Sequence, residues 1–528
     1  MLTFFVIVPI LIAIFLYLFP FKKAARIISI FTQVGLTIAT FFLFINSREG
    51  EIVTAIGDYG ILGITLRADG LSAVFILLTT FVFLMAAIYS YSSNTSSLFW
   101  FLLFIWEASI IGIFLSGDLF NVFVLTEVGT VVVSVLILYN RKSRSMYDGM
   151  IYLMINVVVV QFYLLGLGYV YRLVGTLDIY AATTAFSGLD VSVQILPYAL
   201  IMTFVGLKCA VLPIFSWLPK AHGTPGASAA VSAVLSGLHI KSGIYMFMRF
   251  RDIFGGVETT DFFLFIGIAT AIIGVVMSLA QTNIKLVLAY STIAQVGLII
   301  TGLSIGDESS HVGSLYHIVT HGVFKSALFL GSGVIIQEYG TRDITKIRGA
   351  WRRIPITTAA TSLAILGIIG TPFFSGSVSK YFMMQGASGF TNIVMMLVNL
   401  GTIMIFVKYT TMFFGKPSGD TRLNYNDWWQ LVPLLALGIM CFVLGIFGER
   451  AILFLFNSDK SINFRCYLEK AGIFAISLIA GYTFFRYYIR DCALLKQVKK
   501  FELGFRGMCA AIGVFFAMVV VYLQFIRM

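Results

Sequence analysis

Lys208, Lys241, Lys325 and Lys380 each lie inside a long apolar segment, and Glu127 lies in another. A charge near the centre of a bilayer costs several kcal/mol, so such residues are retained for a purpose, most often an ion or proton path. Glu127 follows Gly117-Asp118-Leu119-Phe120-Asn121-Val122-Phe123-Val124-Leu125-Thr126 and sits about two turns into an apolar helix. A buried carboxylate needs a cation nearby or it becomes neutral. Lys208 is the expected partner, five residues before Pro213, which removes a backbone N–H and breaks a helix. Broken helices recur at ion sites in transporters.

Lys241 lies mid-helix in Leu235-Ser236-Gly237-Leu238-His239-Ile240-Lys241. His239, two residues away, reads equally as a second relay or as a satisfied core histidine. His317, His321 and Lys325 follow at a spacing of four, which puts all three on one helix face. Three titratable groups in a row suit a proton wire. The same spacing suits a two-histidine metal site, but no carboxylate shares the face and Lys325 would repel a cation, so no metal is expected. Lys380 follows a second break at Pro372, near a helix end, where it serves as an exit or snorkels to the surface. Lys408 is a further lysine within an apolar run.

The elements that must position these residues are membrane helices. Of 528 residues, 59% are apolar and 11% charged, against about 25% charged in soluble domains. Runs long enough to cross a bilayer recur at 2–20, 26–46, 71–91, 98–116, 119–139, 148–172, 196–219, 226–249, 260–280, 285–303, 310–336, 355–382, 391–414, 429–448, 470–487 and 507–526. The chain is therefore expected to be an all-α polytopic membrane protein of sixteen spans. The first run, lacking a cleavage-like small-residue site, reads as the first span rather than a signal peptide. Spans 4 and 5 are joined only by Ser-Gly-Asp. No loop is long enough to hold a soluble domain.

Lys and Arg concentrate in the loops after spans 1, 5, 11 and 15, among them Lys22, Arg141, Arg348 and Lys499. The positive-inside rule then places both termini outside. The loop after span 14, with Arg450, Lys460, Arg465 and Lys470, runs against that bias. The net charge of +12 thus belongs to membrane orientation and not to nucleic acid. Five scattered cysteines, with no CxxC pair, offer no iron–sulfur or zinc framework, and no nucleotide-binding loop is present. No cofactor is expected in this chain.

Two Pro-interrupted spans, 7 and 12, are separated by five helices' length, the pattern of inverted repeats. Spans 4–8 then match spans 9–13, and Lys241 matches Lys408. The chain divides into N-terminal helices at 1–97, a first repeat at 98–250, a second, inverted repeat at 251–415 and C-terminal helices at 416–528.

Several segments resemble the antiporter-like subunits shared by respiratory complex I, membrane-bound hydrogenases and Mrp-type cation/proton antiporters. They are the stretch ending at Glu127, LPIFSWLPKAH after Lys208, GTPGASAAVSAVLSGLHIKSGIY around Lys241, NIKLVLAYSTIAQVG at 283–297, HIVTHGVFKSALFL at 317–330, and TPFFSGSVSK ending at Lys380. The sequence is most similar to the D subunits of the Mrp type or their hydrogenase counterparts. The resemblance implies a core of about fourteen helices with spans 7 and 12 broken, and about two extra C-terminal helices. It implies a proton-carrying row of Glu127, Lys208, Lys241 and Lys380, with His239, His317, His321, Lys325 and Lys408 as relay candidates. It further implies a prokaryotic inner membrane, partner membrane subunits, and H+ with Na+ as the ions. Iron–sulfur or NiFe subunits are implied as partners if the complex is redox-driven. Three functions follow as expectations: Na+/H+ antiport, ion pumping in a hydrogenase or complex I-like oxidoreductase, and a structural subunit without its own ion path. A quinone-reactive oxidoreductase has no supporting motif.

Overall fold

The computed structural model describes all residues except 20–21, 58–62, 94, 418–426 and 526–528, and the side chain of Lys22. The expected ends of spans 1 and 16, at 20 and 526, lie outside the described residues. All sixteen helices form. Among the described residues, fourteen are long and apolar enough to cross a membrane, and two shorter apolar helices, Phe4–Leu18 and Pro355–Ile369, supply span 1 and the first half of span 12. The chain is an integral, multi-pass membrane protein.

Local sequence sets the helix starts. Asp69, Asp118 and Asp307 accept hydrogen bonds from backbone N–H groups of the first turns of Gly70–Ser90, Leu119–Leu138 and Glu308–Tyr339. Ser116, Gly117 and Asp118 are enough to separate spans 4 and 5, because Asp118 caps the second of them. Features that carried no apolar-run signal include a β-hairpin of β1 (Ile52–Ile56) and β2 (Ile64–Ala68) in register Ile52↔Ala68, a short helix Ile179–Phe186, and a π-helical turn Leu235–His239 within span 8.

Burial sorts the spans. The apolar stretches of span 8 (Ala229–Ile253), span 10 (Ile284–Leu303) and span 11 (Glu308–Tyr339) are almost wholly buried, whereas that of span 15 (Phe464–Ile489) is mostly uncovered. The helices carrying Lys241, His317, His321 and Lys325 are therefore central, and the C-terminal helices lie at the periphery.

One joint occurs twice. Where span 5 begins, Asp118 bridges Asp178 after span 6, with Leu119 N–H donating to Leu177 O and Ile179 N–H to Gly117 O. Where span 10 begins, Asn283 bridges Asp343 after span 11, with Ile284 N–H donating to Arg342 O and Ile344 N–H to Thr282 O. Both partners are shifted by one constant interval, and the sequences Gly175-Thr176-Leu177-Asp178-Ile179 and Gly340-Thr341-Arg342-Asp343-Ile344 match. The two helix breaks match as well. In the first, Ala210 and Val211 donate to carbonyls of Gly206 and Leu207, and Ile214 N–H to Val211 O. In the second, Gly370 and Thr371 donate to Leu366 and Gly367, and Phe374 N–H to Thr371 O. Ala210 (φ 53°) and Gly370 (φ 81°) both take the left-handed conformation that ends the helix.

Candidate proton path

Span 7 runs as Val191–Cys209 and resumes as Trp217–Gly223. The break begins at Ala210, three residues before Pro213. Its freed groups are held by neighbours: Trp217 Nε1–H donates to Leu207 O at 2.8 Å and Leu212 N–H to Thr270 Oγ1 at 2.9 Å, as backbone at membrane depth requires. Lys208 thus lies in the last turn of a half-helix, where the dipole favours a cation. Its ammonium donates to Asn156 Oδ1 at 2.6 Å and to Thr130 Oγ1 at 3.1 Å. Gly243 lets span 8 reach this point: a Cβ there would stand 2.7 Å from Lys208 O.

Glu127 is not hydrogen-bonded to Lys208. It is half-buried on span 5, one turn before Thr130, and its Oε1 is buried without a partner. Val124, Val128 and Val131 on the adjoining face are exposed, so the carboxylate borders the outer surface of the subunit. The expected ion pair is replaced by a longer-range interaction, with neutral polar groups holding the ammonium.

His239 accepts from Trp106 Nε1–H through Nδ1 at 3.3 Å. Indole is only a donor, so the imidazole proton resides on Nε2, which faces Tyr152 Oη at 3.2 Å. Tyr152 and Asn156 occupy successive turns of span 6 (Ser143–Val174), linking the surroundings of His239 to those of Lys208. His239 is thus fully satisfied by Trp106 and Tyr152, and Tyr152 ties it to the surroundings of Lys208.

The π-turn displaces the ladder, with Ile240 N–H reaching Leu235 O; such turns frequent functional sites. Lys241, fully buried, donates to Ser236 O at 2.7 Å and is hydrogen-bonded to His321 Nδ1. His321 Nε2 is buried without a protein partner. His317 lies one turn away, ring centroids 6.2 Å apart. Its nitrogens face Gln295 Oε1 at 3.0 Å and Ser379 Oγ at 2.8 Å. Lys325 points elsewhere, donating to Leu288 O at 2.9 Å and to Ser291 Oγ on span 10.

Span 12 runs as Pro355–Ile369 and resumes as Ser375–Met383. Lys380 turns back into the break instead of snorkelling: it donates to Ile368 O and to Asn399 Oδ1, both at 2.7 Å, and is 8% exposed. A cavity of about 160 Å³ adjoins it. Lys408 is not in this row. It is half-buried and donates to Leu279 O at 2.6 Å and to neighbouring carbonyls that end span 9 (Thr260–Ala280). In the first half Tyr245 makes the matching contact, to Phe114 O at 2.9 Å. Lys408 therefore corresponds to Tyr245, one turn beyond Lys241, which corrects the expected equivalence of Lys241 and Lys408.

Sequence reasoning missed the neutral members of these clusters, Thr130, Tyr152, Asn156, Gln295 and Asn399, which carry no charge to betray burial. It also missed Lys285, whose ammonium donates to Ala227 O at 2.6 Å, and the buried pair Glu107–Gln33. Charged residues within the apolar runs were the available signal for Lys285 and Glu107.

The family model described as "NADH:quinone oxidoreductase/Mrp antiporter, TM" matches residues 116–407. The N subunit of the NADH-quinone oxidoreductase of Desulforudis audaxviator is 30% identical over 418 residues, covering 74% of this chain and 83% of that protein. The D subunit of the Na(+)/H(+) antiporter of Alkalihalophilus pseudofirmus is 28% identical, covering 84% of this chain and 93% of that protein. Among solved structures, a chain of the Mrp complex from Dietzia sp. superposes with a TM-score of 0.81 at 23% identity, covering 89% of this chain and 99% of that one. The fold is thus that of an antiporter-like subunit, and its breaks, joints and buried lysines lie within the matched region. The chain belongs to the NADH:quinone oxidoreductase/Mrp antiporter transmembrane family.

Proposed function

We propose that this chain is a proton-translocating subunit of a multisubunit membrane complex, engaged in Na+/H+ antiport of the Mrp type. One observation carries the reading. Inside an apolar bundle lie two runs of buried polar groups: Thr130, Asn156 and Lys208, tied through Tyr152 to His239, and Lys241 with His321, then His317 and Ser379, and finally Lys380 and Asn399. Each lysine is held by neutral acceptors, so it can lose and regain a proton without leaving a buried anion unpaired. His321, with one nitrogen on Lys241 and the other free, can pass a proton onward through a single water. Glu127 acts from the subunit surface on Lys208. No cofactor takes part within this chain, and the partners are other membrane subunits in a prokaryotic cell membrane, with the N-terminus outside.

The test is ion flux in vesicles carrying the assembled complex, with Glu127, Lys208 or Lys241 replaced by Ala. Loss of flux at normal assembly is expected; wild-type flux in all three would sink the assignment and favour a structural subunit. The 30% identity to the N subunit of an oxidoreductase supports a second reading, ion pumping driven by a redox module. Co-purified iron–sulfur or NiFe subunits would select it, and small membrane subunits alone would select antiport.

A further inference from the structure

The break in span 7 carries a second lysine. Lys220 lies in the resumed half-helix Trp217–Gly223, buried to 7% exposure. By the interval that matches the two breaks, Lys220 stands where Lys380 stands in the other half. The surroundings differ. Lys220 is ion-paired with Glu502, which also accepts from Arg144 Nη2 at 2.8 Å. Arg144 Nε in turn donates to Asp148 Oδ2 at 3.0 Å. Asp148 is 1% exposed, and its Oδ1 is buried without a partner. An orphaned carboxylate oxygen of this kind calls for water or a proton. These four residues, with Tyr290 and Lys499, border a cavity of about 260 Å³, room for several waters.

A polar stripe leads inward from this cavity. Asp148, Tyr152 and Asn156 occupy successive turns of span 6, and the last two contact His239 and Lys208. Glu502 comes from the other end of the chain, between the helix Ala493–Val498 and span 16 (Phe505–Phe525), beyond the family match. Burial alone would push its carboxyl up, but hydrogen bonds and charge from Lys220 and Arg144 hold it below the ordinary carboxylate range.

We propose that Asp148 and Lys220 form the proton-uptake site of the first half, and that Glu502 is a positioning residue that fixes Lys220 at its mouth. This rests on the proton-translocation reading above. The C-terminal extension thereby becomes part of the transport machinery and not an ornament on it.

The test uses the whole complex in vesicles with this mouth facing the medium, and reads the initial rate of proton uptake against pH. D148N and K220M should each slow uptake by about 100-fold, the scale of a lost proton-transfer group. E502Q should slow it by roughly fivefold, the upper end for a solvent-accessible ion pair, and shift the pH of half-maximal rate, with E502D restoring most of both. Wild-type uptake in D148N and K220M, with K208A inactive, would overturn the uptake site while sparing the path. Wild-type uptake in K208A as well would overturn the path itself. An E502Q rate equal to wild type, a uniform fall without a pH shift, or no rescue by E502D would each remove the role of Glu502. If D148N does not assemble, S216C in the wild-type background reports on the same cavity: a membrane-impermeant thiol reagent should label it above the parent's native cysteines, and absence of that labelling would overturn a water-filled mouth.

Discussion

Replacing Asn156 by Leu tests the path at its best-defined contact. Asn156 Oδ1 accepts from the Lys208 ammonium at 2.6 Å, and the only other acceptor among the described residues is Thr130 Oγ1 at 3.1 Å. Leu keeps the volume and removes the acceptor. A hydrogen bond to a charged group contributes about 1.5–3 kcal/mol, which corresponds to roughly 10- to 150-fold in a rate that depends on the protonated lysine. Flux through the assembled complex in vesicles should fall by that factor in N156L. T130V, which removes the longer bond, should lose less. N156D, which keeps an acceptor oxygen, should stay above N156L. Wild-type flux in N156L would refute the view that Asn156 acts by holding Lys208.

Four further outcomes are expected. H321L should abolish flux at normal assembly, whereas K325M should retain more of it, since Lys325 points to Ser291 and away from His321; equal losses would contradict the row as drawn. G243A should destabilise the complex by about 1–3 kcal/mol in detergent unfolding, because its Cβ meets the backbone at Lys208; an unchanged midpoint would show that the two helices can separate freely. Y467F should lower the unfolding midpoint, because Tyr467 Oη accepts from Phe373 N–H at 2.8 Å and its loss leaves that N–H orphaned at the second break; an unchanged midpoint would show that the N–H finds another acceptor. Asp69 gives a pH dependence of stability. Burial raises its carboxyl, but the Arg249 charge and the Ser72 hydrogen bonds lower it further, below its ordinary value of 3.8. A depressed carboxyl contributes stability above its unfolded pKa and loses it as pH falls through the folded one. Acid unfolding of wild type should therefore steepen below about pH 4, and D69N should flatten that limb; identical acid limbs would refute it.

The number and order of helices were legible because apolar length alone dictates a membrane span, whereas their starts are set by Asp and Asn caps that apolar length does not mark. Lys208, Lys241 and Lys380 were legible because charge stands out against an apolar background. The ion pair expected between Glu127 and Lys208 was not, because sequence cannot tell a carboxylate facing its neighbour helix from one bordering the outer surface. The π-turn under Lys241 and the hairpin at Ile52–Ala68 arise from packing and pairing that no periodicity announces. Lys408 was assigned to the wrong register because one helical turn in an apolar repeat leaves no mark; the contact to Leu279 O sets it. Glu502 was invisible for another reason: its meaning comes entirely from Lys220, distant in sequence.

The twice-built joint has a chemical consequence. The matched joints and breaks make the two halves copies of one hydrogen-bonded frame. What distinguishes the halves is then the side chains that the shared frame carries. Tyr152 and Asn156 in the first half answer to His317 and His321 in the second, since each pair lies one turn apart on the helix that ends at the matching joint. At these two positions the first half carries a phenol and an amide, and the second carries two imidazoles, each able to hold an extra proton.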